Sequence, residues 1–206
     1  KGGTGMGKLM IVNGSPRAPK SNSKQYIQAF LSAWSGVYEQ YSVLQRQHTA
    51  CLEQLKECSD LLLVFPLYTD GLPSGLMEFL KAMLEQPTAP LTVHVIINCG
   101  FREPHQNNVA IDMIRLFCKR GGHKLGSVLR MGCGEAFPTT PFMGMARRKI
   151  QKLARSIQKG RSVQLSITMP LTKGLFLRAA NRYWLSRGAQ FGNSQTQMAA
   201  MDIEGP

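Results

Sequence analysis

The chain has 206 residues, enough for one domain with a full core. Its 43% hydrophobic and 18% charged content suits a folded globular protein, and no apolar run approaches the roughly 20 residues that span a bilayer. The formal net charge is +13, but residues 147–206 hold 11 Lys and Arg against 2 Asp and Glu, whereas residues 1–146 hold 14 against 10. Basicity therefore belongs mainly to the C-terminal segment, and with no DNA- or RNA-binding motif beside it, nucleic acid is not an expected partner.

In chain order, apolar runs bounded by turn residues alternate with helix-length amphipathic segments. "KLMIVNGS" ends in Asn13-Gly14-Ser15 and reads as a buried strand. "SKQYIQAFLSAW" sets Ile27, Phe30, Leu31 and Trp34 on one helical stripe, with Ser21 or Asn22 as N-cap. "YSVLQ" reads as an edge-like second strand, followed by a short helix over 49–57 that carries Leu52 and Leu55. "SDLLLVFPLY" is a continuous apolar strand that Pro66 ends. A helix over 73–85 opens at Pro73, a favoured first helical position. "LTVHVIIN" is the fourth strand, and 105–120 is a helix with Val109, Met113, Leu116 and Phe117 inward, stopped by Gly121-Gly122. "KLGSVLRMG" is the fifth strand, and 144–159 is a basic amphipathic helix ending at Gly160.

This βαβαβαβαβα order, with strands that do not alternate, predicts a five-stranded parallel sheet covered on both faces. Right-handed crossovers then give a doubly wound, three-layer α/β sandwich of flavodoxin-like type over residues 8–160. Residues 161–206 depart from the pattern. They form a basic C-terminal extension with an extended piece, one helix from about Lys173 to Arg187, and a loose last dozen residues.

Five cysteines stand at 51, 58, 99, 118 and 133. None forms a C-x-x-C pair and their number is odd, which argues against a zinc knuckle, an iron–sulfur cluster or a disulfide framework. Reduced thiols in a cytoplasmic protein are the expectation. The first apolar run is short and leads straight into polar loop residues, unlike a signal peptide. His48, His94, His105 and His123 are scattered without ligand spacing, so no metal site is expected.

Two loops near the N-terminus could each hold a phosphate. Gly2 to Lys8 matches G-x-x-x-x-G-K, but a strand follows it and none precedes it, and Leu9 stands where a metal-holding Ser or Thr belongs. It reads as a leader. Gly14 to Ser23, "GSPRAPKSNS", follows a strand and opens a helix, as a phosphate loop must for amides and helix dipole to converge on the anion. Ser15, Ser21 and Ser23 supply hydroxyls and Arg17 a charge. In an open α/β sheet the ligand lies beyond the strands' C-terminal ends, where strand order reverses. "PLYTDGLP" follows the third strand there, with Tyr68 for stacking, Gly71 for close backbone approach, and Thr69 and Asp70 as polar groups. "NCGFREPHQN" follows the fourth, with Asn98, Gly100, Phe101 and Glu103. Together the three loops describe a site for a flat, phosphorylated ring system.

G-S-P-R-x(n)-S-N-S after the first strand, P-x-Y-x-D-G-x-P after the third and N-C-G-F-x-E after the fourth resemble the NADPH-dependent FMN reductase family, within the flavodoxin-like NAD(P)H:flavin and quinone oxidoreductases. The resemblance covers about residues 8–160. It implies noncovalent FMN, with Ser15, Arg17, Ser21, Asn22 and Ser23 around the ribityl phosphate and Pro16 shaping the loop. Pro66, Leu67, Tyr68, Thr69, Asp70 and Gly71 would flank the isoalloxazine, and Asn98, Cys99, Gly100, Phe101 and Glu103 would close its other side. It further implies NAD(P)H as co-substrate, hydride transfer through flavin N5 to a small acceptor (quinone, flavin, nitro or azo compound, or metal ion), and a homodimer or homotetramer. The flavin carries that chemistry, so no catalytic side chain is expected. Unlike the related iron–sulfur flavoproteins, this chain has only Cys51 and Cys58 between its first and third strands, too few for a cluster.

Two alternatives stand beside this reading. One is a flavodoxin-type electron carrier, against which the chain's basicity counts. The other is a non-catalytic flavin-binding module that docks an acidic partner through its basic tail. Cys99 is either a redox thiol or, as favoured here, a small residue at a tight strand end. Glu135 either orients a loop or substrate or is solvated. The stripe of Leu175, Phe176, Tyr183, Trp184 and Leu185 suits a docked helix or subunit interface, with peripheral membrane contact as the alternative. Arg102 stands near the ligand loop, a position suggestive of a coenzyme 2′-phosphate.

Overall fold

The computed structural model describes residues 7–17, 20–86 and 88–200. The stretch read as a leader lies outside them, apart from Gly7 and from Lys8, which begins β1. The elements run β1 (Lys8–Asn13), α1 (Asn22–Leu31), β2 (Tyr38–Ser42), α2 (His48–Leu55), β3 (Cys58–Pro66), α3 (Ser74–Glu85), β4 (Thr92–Asn98), α4 (Asn108–Arg120), β5 (Lys124–Met131), α5 (Met143–Gln158), β6 (Gln164–Ile167), α6 (Lys173–Ala189) and α7 (Gln195–Ala199).

The strands form one parallel sheet in the order β2-β1-β3-β4-β5-β6. In β1, β3 and β4 the apolar runs are buried on both sides, as a sheet sandwiched between helix layers requires. Met10 and Val12 of β1 point into a core shared with Leu52, Phe79 and Ile111 of α2, α3 and α4. On the opposite face α1 and α5 pack together, burying Ile27 and Phe30 of one and Ile150 and Leu153 of the other. Each such side chain contributes about 1.5–3 kcal/mol. Strand order reverses between β1 and β3, which fixes where a ligand crevice opens.

The structure corrects the sequence reading in four places. The sheet has six strands, not five: β6 pairs with β5 from Val128↔Gln164 to Met131↔Ile167. It is an edge strand with little buried surface, so it lacks the continuous apolar run that marked the others. The second strand lies earlier than "YSVLQ", ending at Ser42, and Val43–Gln45 is a 3₁₀ turn closed by Arg46 at φ +51°. In α4 the inward stripe is Ala110, Ile111, Ile114, Phe117 and Cys118, while Val109 and Leu116 are 58% and 49% exposed. Both stripes obey the helical period, and the period alone does not choose between them. Last, residues 195–199 are not loose but form α7, with a capping box in which Ser194 and Gln197 exchange side-chain and backbone hydrogen bonds.

The chain divides into two compact units between Met169 and Pro170. In the second unit, Thr172 Oγ1 caps α6 by accepting from Leu175 N, and Gly188 leaves room for Met198 of α7 to lie against the helix. Leu175, Leu177, Tyr183 and Trp184 of α6 are exposed. No helix among the described residues is long and apolar enough to cross a membrane.

Candidate functional site

The loop after β1 is shaped by its own polar side chains. Asn13 Oδ1 accepts from Ser15 N at 3.1 Å, and Ser15 Oγ accepts from Arg17 N at 3.2 Å, two successive local turns. Ser21 has extended backbone and accepts from Lys24 N at 3.2 Å, which makes it the N-cap of α1. Asn13 Nδ2 reaches Ser21 Oγ at 3.4 Å and ties the two ends of the loop together. The first amides of α1 have no partner within the helix and lie beside this loop.

The loop after β3 is a tight hairpin turn. Tyr68 and Gly71 exchange backbone hydrogen bonds at 3.2 and 2.8 Å, and Thr69 and Asp70 between them have φ of +44° and +56°. Positive φ at both central residues defines a type I′ turn, which asks for Asn or Gly rather than a β-branched residue. The turn holds Tyr68 39% exposed at the end of the strand. Leu67 N donates to Asn98 O at 2.7 Å and Asn98 Nδ2 to Phe65 O at 3.2 Å, which joins the ends of β3 and β4.

The loops after β4 and β5 brace each other. Cys133 N donates to Phe101 O at 2.6 Å and Gly134 N to Cys99 O at 2.7 Å. Cys133 itself has φ +54°. A Cβ on Gly132 would strike the Arg102 carbonyl, and one on Gly134 would strike Asn98, so both glycines are required by close approach. Cys99 Sγ accepts from the buried Asn107 amide at 3.5 Å. Burial pushes its thiol up to about 11, so at neutral pH it is an uncharged packed thiol and a poor nucleophile. Arg102 Nη1 lies 3.6 Å from Glu103 Oε1.

Ser15, Arg17, Ser21, Asn22, Ser23, Pro66, Tyr68 and Asn98 line a single cleft at the β1–β3 reversal, together with Lys20 and Glu135. Pro16, Leu67, Thr69, Asp70, Gly71, Cys99, Gly100, Phe101 and Glu103 lie in the same three loops but outside the lining. Leu67 packs on the core and Phe101 is 51% exposed. Lys20 adds a second cation, which the hydroxyl pattern of the loop does not signal. Glu135 is brought in from the loop after β5, where its carboxylate approaches Gly100; nothing in the local sequence signals that meeting. Ser23 is 1% exposed, yet its Oγ has no hydrogen-bond partner among the described residues. Buried hydroxyls are rarely left so, and this one lies on the cleft wall.

No family model matches the chain, and no curated protein sequence matches it. Solved structures do. An FMN-dependent NADH-azoreductase from Bacillus anthracis str. Ames Ancestor, in complex with FMN, superposes with a TM-score of 0.56 at 14% identity, covering 73% of this chain and 99% of its own. The NAD(P)H:quinone oxidoreductase from Methanothermobacter marburgensis gives 0.57 at 14%, covering 74% and 98%. The flavodoxin of Streptococcus pneumonia TIGR4 gives 0.56 at 13%, covering 74% and 99%. The fold is flavodoxin-like. At such identities the likeness is one of fold, and the chemistry has to be argued from the cleft.

Proposed function

We propose that the chain is an FMN-dependent oxidoreductase that takes reducing equivalents from NAD(P)H and passes them to a small acceptor. The observation that carries this reading is the cleft at the strand-order reversal. It joins a Ser-rich loop with two cations, an exposed tyrosine ring and a buried serine hydroxyl that has no partner among the described residues. These residues fit FMN. Ser15, Ser21, Asn22 and Ser23, with Arg17 and Lys20, would hold the phosphate at the start of α1, where amides and dipole favour an anion. Tyr68, Asn98 and the backbone of residues 66–71 and 98–101 would border the ring.

When bound, FMN supplies the hydride-transfer chemistry. The protein's own part is to bind and orient. The Tyr68–Gly71 turn holds a ring at the mouth, and the Cys99–Gly134 and Phe101–Cys133 hydrogen bonds fix the opposing wall. Asn98 is held between the end of β3, where its amide donates to Phe65 O, and Gly134, which packs directly against its side chain.

Quinones and azo compounds, named as substrates of the structural neighbours, are the acceptors this reading tests first, in a cytoplasmic homo-oligomer whose exposed α6 meets another surface. The experiment is a visible absorption spectrum of the protein incubated with FMN, before and after NADPH. A bound flavin spectrum that bleaches with NADPH is expected. Protein that stays colourless after gel filtration overturns the flavin reading, and a bound flavin that NADPH does not bleach leaves a flavodoxin-type carrier.

A further inference from the structure

A second and larger cleft, of about 390 Å³, opens at the edge of the sheet between α1 and the C-terminal end of β2. Lys24 and Ile27 come to it from α1, Gln40 and Ser42 from β2, and Leu44 and Gln45 from the turn that follows. No carboxylate lines it. β2 is short and polar, so no apolar run in the sequence marks the strand that forms this cleft.

Three observations say what it would accept. First, its polar groups are unspent. Among the described residues Lys24 forms no ion pair, and the Oγ of the half-buried Ser42 is itself buried with no hydrogen-bond partner. An ammonium and a hydroxyl without protein partners favour an anion. Second, a volume in the range of small-molecule sites is far more than a bare phosphate fills. The apolar Ile27 and Leu44 and the amides of Gln40 and Gln45 suit a flat heterocycle with polar edges. Third, the cleft adjoins the first one. Asn13 lines it while its Nδ2 reaches Ser21 of the phosphate loop, and Lys24 follows directly on Ser23.

We infer that this cleft binds a phosphorylated nucleoside, the 2′-phosphoadenosine end of NADPH, with Lys24 and Ser42 meeting the 2′-phosphate. The inference rests on the coenzyme reading given above. It moves the 2′-phosphate contact from Arg102, which already pairs with Glu103, to a cation that the fold leaves unpaired. The β2 edge lies two strands from β3, about 10 Å across the sheet, a span that an extended dinucleotide bridges with its nicotinamide near Tyr68.

The test is calorimetric titration of the full chain with 2′,5′-ADP, 5′-ADP and inorganic phosphate, which needs no flavin. Saturable binding of 2′,5′-ADP, about tenfold or more tighter than 5′-ADP, is expected, because one charge-assisted phosphate contact is worth at least that factor. Lys24→Gln should abolish the preference while leaving the melting temperature in place, since the Lys24 side chain is exposed. In turnover, the same variant should lower the kcat/KM preference for NADPH over NADH about tenfold. Equal binding of the two nucleotides, binding that Lys24→Gln and Ser42→Ala leave untouched, or phosphate competing as well as 2′,5′-ADP would overturn the inference. Protein that binds FMN but not 2′,5′-ADP loses only this inference. Protein that binds 2′,5′-ADP but no FMN loses the flavin reading and keeps this site.

Discussion

Asn22, the first residue of α1, donates its side-chain amide to the main-chain carbonyl of Glu135, 113 residues further along, at 3.2 Å. One turn on, the buried Tyr26 hydroxyl donates to the neighbouring carbonyl of Gly134. These two bonds clamp the loop after β5 onto α1, the helix into which the candidate phosphate loop leads. Burial, reinforced by the charge of Glu135, pushes the Tyr26 phenol far above its ordinary value, so it stays a donor throughout the accessible pH range. Tyr26→Phe removes the hydroxyl and leaves a buried carbonyl unpaired, at a cost of about 1–3 kcal/mol. The expected outcome is a melting temperature several degrees lower and weaker FMN binding, because Glu135 and Gly134 no longer hold their wall. Paired thermal melts and flavin titrations check both.

Ser23 makes the opposite prediction. Its hydroxyl is buried and pairs with no group among the described residues, so Ser23→Ala should leave the melting temperature of flavin-free protein unchanged or raise it slightly. The same change should weaken FMN binding about tenfold, the loss of one hydrogen bond to a charged oxygen. A serine that mattered only for folding would show the reverse pattern, and fluorescence titration of FMN alongside a melt separates the two.

The turn at Tyr68–Gly71 holds Thr69 at φ +44°, a region that β-branched residues avoid. Relieving such strain is worth about 1 kcal/mol. Thr69→Asn, which suits the first central position of a type I′ turn, should therefore raise the melting temperature by roughly 2–4 °C. Thr69→Val keeps the strain, loses the hydroxyl and should not raise it. Melts of the two variants side by side are the measurement.

Much of this was legible in the chain because strands buried on both faces leave an unmistakable mark. Leu9 to Val12 and Leu61 to Phe65 are continuous apolar runs, and each lies where it was expected. The hydroxyl-rich loop after β1 was legible for a related reason, since Ser21 caps α1 through its own side chain and needs no distant partner. What stayed hidden depends on contacts between distant segments or on thin burial. β6 buries one face weakly and is held by Ser127 Oγ accepting from Val163 N. Glu135 enters the cleft because distant segments hold its loop: Asn22 and Tyr26 from α1, and Cys99 and Phe101 from the loop after β4. Gly132 and Gly134 read as turn glycines, and only packing shows that Arg102 and Asn98 exclude a side chain there.

His94 stood apart in the sequence as a histidine inside a strand, and its partners give the fold a pH dependence. Its Nδ1 accepts from Ser127 N at 2.9 Å, filling a break in the β4–β5 ladder. The ring proton then sits on Nε2 and meets Asp60 Oδ1 at 3.0 Å. Burial alone would push the Asp60 carboxyl up, but the hydrogen bonds from His94 and Ser59 outweigh it and hold the carboxyl below its ordinary value. A depressed carboxyl contributes stability that is fully present above the unfolded value of about 3.9 and is lost as pH falls through the folded one. His123 acts in the same sense at higher pH. Burial lowers it, and its Nδ1 accepts from Leu91 N at 3.3 Å. As pH falls below about 6.5 the unfolded chain takes up a proton that the folded ring resists, so stability declines from there toward the folded value. Urea midpoints between pH 8 and 3 should thus fall in two stages. His123→Gln should lose less stability than the parent between pH 7 and 5, and Asp60→Asn should flatten the drop below about pH 4. His94→Phe should cost more than either near neutral pH, where it strands the Ser127 amide and the Asp60 carboxylate together.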